Sequence, residues 1–317
     1  MKFSVIIPLY NKSPYVAKAI HSVLSQSISD YELIVMDDGS SDDSYEVALK
    51  TIEGHPNCHL YRQKNGGVSM ARNNAVALSR GEYLCFLDAD DWWDVRFLEE
   101  MLKMIAEFPD AGIYGTGYTI VNETKHKTRM APIGVGPDFV KGYINYCQVY
   151  AKTLAMPLTS ISVAIPRPVF DEMRGFPEGI KLGEDFLLWI KIALKYKVAL
   201  LNCPLAFYNQ DVEATSKGVK HRGYEPDSFM TFHFDQFEEV EKTNLDLKIL
   251  LDRLRVYSLL RFRMDNTYAQ RVEQEIAKVD FSNVDNKYKF YYKAPYAIVW
   301  LNDKFHTFAS WLKQRIR

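Results

Sequence analysis

Short apolar runs alternate with amphipathic stretches over the first two thirds of this chain. Residues 3–8 are a β-branched run that ends at a proline, the pattern of a buried strand. Asn11-Lys12-Ser13-Pro14 then offers a cap and a first-turn proline. Val16, Ala19, Ile20, Val23 and Leu24 share one face of the helix expected to follow. The alternation repeats. Residues 32–36 read as strand, 45–52 as helix, 58–62 as strand, 68–78 as helix and 83–87 as a nearly uninterrupted apolar strand. A helix is expected to run on to about residue 108, and residues 111–121 read as strand interrupted at Gly115 and Gly117. Such alternation, with short Gly/Asp loops, predicts a doubly wound α/β sheet.

The pattern then loosens. Residues 122–137 read as a polar loop with basic residues, 138–153 as helix, 161–165 as strand and 168–173 as a short helix. Gly183-Glu184-Asp185 opens a helix that buries Leu187, Leu188, Ile190, Ile192, Ala193 and Leu194. Residues 198–201 and 205–208 read as two closing strands, so a first domain is expected over residues 1–215. A polar link at 217–227 leads to a helix-like stretch over 228–264, and residues 270–279 and 288–317 add two more. A helical C-terminal extension is therefore expected over 216–317.

Composition changes this picture little. A net charge of −1 over 317 residues gives no global field for nucleic acid or an acidic substrate. From Thr243 onward, however, 14 Lys/Arg face 8 Asp/Glu, a net +6, in a stretch also rich in aromatics. Cys58, Cys85, Cys147 and Cys203 are scattered without paired spacing, as expected of small buried residues in a reducing compartment. A first strand beginning near Phe3 leaves no room for a signal peptide, and no apolar run approaches the roughly 20 residues that span a bilayer. The expected location is cytoplasmic, with contact to the inner face of the cell membrane peripheral at most.

The chemistry gathers where residues 83–87 empty into Asp88-Ala89-Asp90-Asp91. Three carboxylates in four residues resist joint ionisation unless a cation waits beside them. Ligands of open α/β sheets sit beyond the carboxyl ends of the strands. A divalent ion on Asp88 and Asp90, itself holding a phosphate-bearing ligand, is one reading; an Asp-rich helix start capped by Asp91 or Asp94 is the other. The second accounts for one acid better than for three.

Five segments in order resemble the nucleotide-sugar site of family 2 glycosyltransferases with the GT-A fold. They are Ser4-Val5-Ile6-Ile7-Pro8-Leu9-Tyr10-Asn11, the stretch around Asp37-Asp38-Gly39-Ser40, Asn65-Gly66-Gly67-Val68-Ser69-Met70-Ala71-Arg72-Asn73, Gly81-Glu82-Tyr83 with Asp88-Ala89-Asp90-Asp91, and Gly183-Glu184-Asp185. The resemblance covers roughly the first 215 residues. It implies an inverting transferase that takes a sugar from a nucleoside-diphosphate sugar, most readily a UDP-sugar, with Mn²⁺ or Mg²⁺ on the diphosphate. By resemblance Asp90 is the direct metal ligand, and Asp88 lies by the ribose or reaches the metal through water. Pro8, Tyr10, Asn11, Asp38, Gly66, Ala89 and Arg72 belong to the nucleotide-sugar site. Arg72 has two open readings, a contact to base or diphosphate and an ion pair with Asp37 or Asp38. Pro8, Tyr10 and Asp38 also have plain readings as a strand-ending proline, a core tyrosine and a turn aspartate.

By the same resemblance Asp185 is the general base on the acceptor hydroxyl, ionised at neutral pH, with Glu184 orienting the acceptor or bracing the loop. Trp189, Trp92 and Trp93 are candidates to stack on sugar, with core packing expected for at least two. The acceptor expected is a glycan or lipid-linked saccharide, as in bacterial surface polysaccharide synthesis. Transfer to a polyisoprenyl phosphate and a catalytically silent nucleotide-sugar or glycan-binding module are the alternatives. One departure stands out. Asn209 replaces an arginine frequent in the family, leaving Lys217, Lys220, His221 or Arg222 to supply the charge of a closing loop. The basic and aromatic residues after Lys287 suit an anionic membrane surface, packing on the catalytic domain, or a homodimer contact.

Overall fold

The computed structural model describes residues 1–212, 225–264, 268–295 and 298. The chain divides into two compact units, Met1–Met230 and Thr231–Arg317. In chain order the first unit opens with β1 (Phe3–Leu9), α1 (Val16–Leu24), β2 (Tyr31–Asp37), α2 (Ser44–Ile52), β3 (Cys58–Arg62), α3 (Val68–Leu78) and β4 (Tyr83–Phe86). It continues with β5 (Trp92–Trp93), α4 (Phe97–Glu107), β6 (Ala111–Asn122), β7 (Lys127–Met130), β8 (Lys141–Ile144) and α5 (Tyr146–Thr153). β9 (Val163–Pro166), α6 (Arg167–Glu172), α7 (Glu184–Lys195) and β10 (Lys197–Asn209) complete it.

One mixed sheet runs in the order β3-β2-β1-β4-β9-β6-β10-β5, with β7 on β6 and β8 on β10. β1 to β4 are parallel, as are β6 and β10, and β9 runs antiparallel between the two groups. All seven residues of β2 are buried, and all of β1 but Pro8, as parallel strands covered on both faces require. Pairing of β1 with β4 covers Phe3 to Ile6, so Pro8 falls where no ladder bond on that side needs its missing N–H. Behind the strands, the Ser4 hydroxyl donates to buried Glu32 (2.7 Å), and both accept from the N–H of Gly81. A Cβ on Gly81 would lie 2.5 Å from the Ser4 backbone nitrogen, so only glycine fits there.

The expected elements through β4 recur within a residue or two. After that the structure corrects the reading. Gly115 and Gly117 do not interrupt β6, because a Cβ at Gly115 would strike Leu158; the glycine makes room for a neighbour within a continuous strand. The expected polar loop holds β7, which lengthens the edge of β6 as a fully exposed hairpin strand. Residues 141–144 are strand β8 rather than the start of a helix, and α5 begins at Tyr146 with the Asn145 side chain as its cap. The two expected closing strands are one, β10, kept in a single ladder with β6 by irregularities around Pro204. Trp92 and Trp93 form a two-residue strand on its far side.

The first unit also runs past residue 215. Phe229 bridges to Leu182, with Lys181 N–H donating to Ser228 O (2.8 Å) and Met230 N–H to Leu182 O (3.1 Å). The long helix expected from residue 228 begins later. Pro226–Ser228 and Met230–Phe237 are 3₁₀ turns, followed by α8 (Glu238–Glu241), α9 (Leu245–Met264), α10 (Ala269–Ala277) and α11 (Asn286–Lys293). Leu247, Leu250, Leu251 and Leu254 are buried, whereas Tyr257 is exposed. Among the described residues no helix is long and apolar enough to cross a membrane.

Candidate active site

The carboxyl ends of β1, β2 and β3 meet in a cradle of loops. Asn11 takes a left-handed conformation (φ 51°), which asparagine tolerates. Its Oδ1 accepts from the N–H groups of Ser41 (2.8 Å) and Asp42 (3.3 Å), and its own N–H donates to Ser40 Oγ (3.0 Å). Asn11 therefore ties the β1 loop to the β2 loop and does not cap α1, whose first turn has no side-chain cap. Asp38 joins the β2 loop to the one after β3. Its Oδ1 accepts from Gly66 N–H and Gln63 Nε2, and its Oδ2 from Gly67 N–H, all at 2.8 Å. A carboxylate has about four lone-pair positions, so Asp38 keeps capacity for about one more donor. Tyr10 is 48% exposed, which sets aside the core-tyrosine reading.

Beyond β4, each acid has a different partner. Asp88 Oδ1 accepts from Arg72 (2.7 Å), whose other terminal nitrogen donates to Glu184 Oε1 (2.8 Å). Neither sequence reading of Arg72 anticipated this pair. Asp37, offered as its partner, is held instead by Arg62 (2.9 Å). Arg72 is 2% exposed and lies over the Phe176 ring. Burial works against its charge, but Asp88, Glu184 and Asp185 more than offset that and hold it firmly protonated. Asp90 bonds to the Lys12 ammonium. Burial pushes its carboxyl up, Lys12 draws it down, and Asp88 pushes it up again. Ala89 between them is buried. Asp91 accepts from Asn209 N–H (2.7 Å); burial, with Asp90 and Asp88 close by, holds its carboxyl well above the usual range.

Arg72 ties a second set of groups to the same acid loop. Gly183, left-handed at φ 86°, turns the chain into α7, and Glu184 and Asp185 occupy its first turn. Asp185 is half-buried; its Oδ1 accepts from Phe186 N–H (2.7 Å) and its Oδ2 from Ser160 Oγ (3.0 Å). Burial first, then Glu184, pushes its pKa up to about 7, with Arg72 pulling the other way. Asp185 is thus held above the range of an ordinary aspartate. Lys12 and Ser160 were missed. Lys12 had one signal, being the first base after a strand end, but it was read only as part of a helix cap. Nothing in Thr159-Ser160-Ile161 marks the serine.

Trp93 and Trp189 are buried in the core, Trp93 stacked on Phe97 and bonded through Nε1 to Ile161 O (2.6 Å). Trp92 is half-buried, stacked on Phe207, with the Lys18 ammonium 3.2 Å from its ring centroid. The closing-loop candidates Lys217, Lys220, His221 and Arg222 lie outside the described residues, as does residue 299 onward of the basic and aromatic C-terminal stretch.

Among the described residues no group of three or more His, Cys, Asp or Glu forms a metal cage. The donors fit a different kind of site. Mg²⁺ and Mn²⁺ commonly take one or two carboxylates and complete their shell with phosphate oxygens and water. Asp90, half-buried and already balanced by a cation, with Asp88 beside it, meets that description.

The family model of Glycosyl transferase family 2 matches residues 4–165, just over half of the chain. An uncharacterized glycosyltransferase of Rickettsia felis is 33% identical over 198 residues, 62% of this chain and 31% of that protein. The glycosyltransferase GlyA of Streptococcus pneumoniae is 31% identical over 215 residues, covering 65% and 30%. Chondroitin synthase of Escherichia coli is 42% identical over 121 residues, covering 38% and 18%. The matched region thus spans less than a third of each of these relatives. Residues 1–349 of TarS from S. aureus share the fold, with a TM-score of 0.57 at 20% identity, over 88% of this chain and 89% of that one. That TarS fragment has also been solved with UDP and with UDP-GlcNAc.

Proposed function

From the premise that the chain belongs to glycosyl transferase family 2 and is a glycosyltransferase, we propose that it moves a sugar from a UDP-sugar to a hydroxyl of a glycan or lipid-linked saccharide, with inversion and with a divalent ion. The observation that carries this reading is the Asp88–Arg72–Glu184 bridge. It joins the acid loop beyond β4 to the first turn of α7, which supports a leaving-group site and a base acting side by side. The UDP complexes of TarS support the choice of nucleotide, and the names of GlyA and chondroitin synthase support a glycan acceptor.

In this reading Tyr10 offers an aromatic face to the base, Asp38 uses its remaining lone pair on a base N–H, and Pro8 and the Gly66 backbone border the pocket. Asp90 and Asp88 would hold Mn²⁺ or Mg²⁺, which when bound neutralises the diphosphate and so improves it as a leaving group. Asp185 accepts the proton of the acceptor hydroxyl as that oxygen bonds to the anomeric carbon. The bond from that carbon to the diphosphate oxygen breaks on the opposite face, and UDP departs with the electron pair. Ser160 fixes one oxygen of Asp185, and Glu184 with Arg72 sets its charge environment. Removal of a positioned base costs typically 10²- to 10⁴-fold in rate.

A thermal-shift titration with UDP-sugars, with and without Mn²⁺, tests donor binding, because a ligand of the native state raises its melting temperature. Asp185→Asn should keep that shift and lose transfer by at least ~10²-fold. Wild-type transfer by Asp185→Asn, or no shift with any nucleotide and either ion, removes the reading.

A further inference from the structure

We infer that Lys12 is a donor-positioning residue: it holds Asp90 before the donor binds and passes its charge to the donor diphosphate when nucleotide and ion enter. This rests on the metal-dependent nucleotide-sugar reading above and adds an order to it. Three observations carry it.

The first is that the lysine's backbone is pinned. Lys12 N–H donates to Ser44 Oγ (2.7 Å), and its carbonyl accepts from the N–H groups of Tyr15 (2.9 Å) and Val16 (3.0 Å). Only the flexible four-carbon stem is left to move. The second is placement. The ammonium bonds to Asp90 Oδ2, with side chains 15% and 18% exposed, so it occupies coordination space that an ion on that oxygen would need. Ion and ammonium repel, and both cannot take the same lone pair.

The third is that, among the described residues, the neighbouring arginines are committed. Arg72 serves two carboxylates from a buried position, and Arg62 serves Asp37 and the Ser40 carbonyl. Asn209, where the family often has arginine, brings no charge and spends its N–H on Asp91. Lys12 has a single carboxylate, stands at the mouth of the acid loop, and keeps two further N–H donors for phosphate oxygens.

It follows that a free ion must displace Lys12 from Asp90 with no new anion to receive the lysine. Together with a diphosphate, the displaced ammonium is re-paired at once. Ion and nucleotide are therefore coupled, each tightening the other by the same factor.

The test is Mn²⁺ binding by the full chain at pH 8, read from the EPR signal of free Mn²⁺, with and without UDP, in wild type, Lys12→Met and Lys12→Arg. In wild type UDP should tighten Mn²⁺ about 5- to 150-fold, the usual span of such coupling. Lys12→Met should bind Mn²⁺ alone more tightly than wild type, bind UDP alone more weakly, and show weaker coupling, with the direct attraction of ion and diphosphate remaining. Lys12→Arg, which keeps a cation on the same backbone, should recover part of the lost coupling and guards against a folding artefact. Wild-type coupling unchanged in Lys12→Met overturns the role of Lys12 while leaving the metal-dependent reading standing. Wild type that binds no Mn²⁺ even with saturating UDP overturns that reading, and the role of Lys12 with it.

Discussion

Arg72→Met separates the bridge between the two halves of the site, and its effect on pH dependence has a definite sign. The guanidinium is 2% exposed, and its carboxylates differ: the Glu184 side chain is 10% exposed and that of Asp88 34%. Removing one member of a buried ion pair costs ~3–5 kcal/mol, and solvent at Asp88 argues for the lower end, about 3 kcal/mol. At about 2–4 °C per kcal/mol for a unit of this size, the melting temperature should fall by about 6–12 °C. The sharper readout is kinetic. A base must be ionised to accept a proton, so kcat/KM falls below its pKa; Asp185, at about 7, should give wild type an acidic limb near neutrality. Arg72 pulls that pKa down and Glu184 pushes it up. The limb should therefore move to higher pH in Arg72→Met and to lower pH in Glu184→Gln, each by ~1 pH unit or more. The assay is kcat/KM for the donor from pH 5.5 to 9, with folding checked at each pH. Limbs that move in the same direction in both variants, or a flat wild-type profile, refute the electrostatic argument, whatever the melting temperatures do.

Three further outcomes follow from particular groups. Asp185 is protonated more readily in the folded chain (about 7) than at its usual value of 3.8. Its favourable contribution to folding is therefore full below about pH 4 and lost as pH rises to about 7. Asp185→Asn should raise the melting temperature relative to wild type at pH 8 and not at pH 4, a comparison that calorimetry makes directly. Gly81→Ala forces a methyl against the Ser4 backbone and should cost at least ~1–3 kcal/mol, seen as a lowered urea midpoint; an unchanged midpoint means the strand ends part cheaply. In the second unit Arg255, 1% exposed, pairs with Glu241 (3.1 Å) and Glu275 (3.4 Å). Arg255→Met leaves Glu275 only Lys278 (2.6 Å) and Glu241 only Lys248 (3.8 Å), and should destabilise that unit by up to ~3 kcal/mol, measurable by amide exchange along α9 and α10.

Legibility followed sequence distance. From β1 to β3 each strand pairs in parallel with the next in the chain, β4 returns in parallel to β1, and each helix has its own apolar face, so local pattern contains the elements. From β6 onward the pattern depends on remote partners. Lys127–Met130 is exposed at all four positions and is a strand only because β6 lies beside it. Residues 141–144 carry no buried face of their own and are strand because β10 accepts them. Pro204 looked like a break between two strands, yet β6 shifts register there and carries the ladder through.

The site divides in the same way. The acids were legible, because a carboxylate cluster after a buried strand calls for a cation wherever it occurs. Their cations were not, since choosing among bases requires knowing which strand ends meet. The case of Arg72 shows how far that choice could have been narrowed. Once β2 and β3 are taken as parallel neighbours with Leu33 opposite Cys58, counting along the ladder sets Arg62 opposite Asp37. Asp37 is then satisfied from its own sheet neighbour, and one alternative for the next arginine closes. Asp38, whose oxygens take the N–H groups of Gly66 and Gly67, closes the other. Arg72, buried on α3, must then find its counter-charges elsewhere, and β4, on the other side of β1, delivers Asp88. Glu184 lies beyond any such count, because α7 arrives after β9 has inserted antiparallel beside β4, a crossing that no local pattern announces.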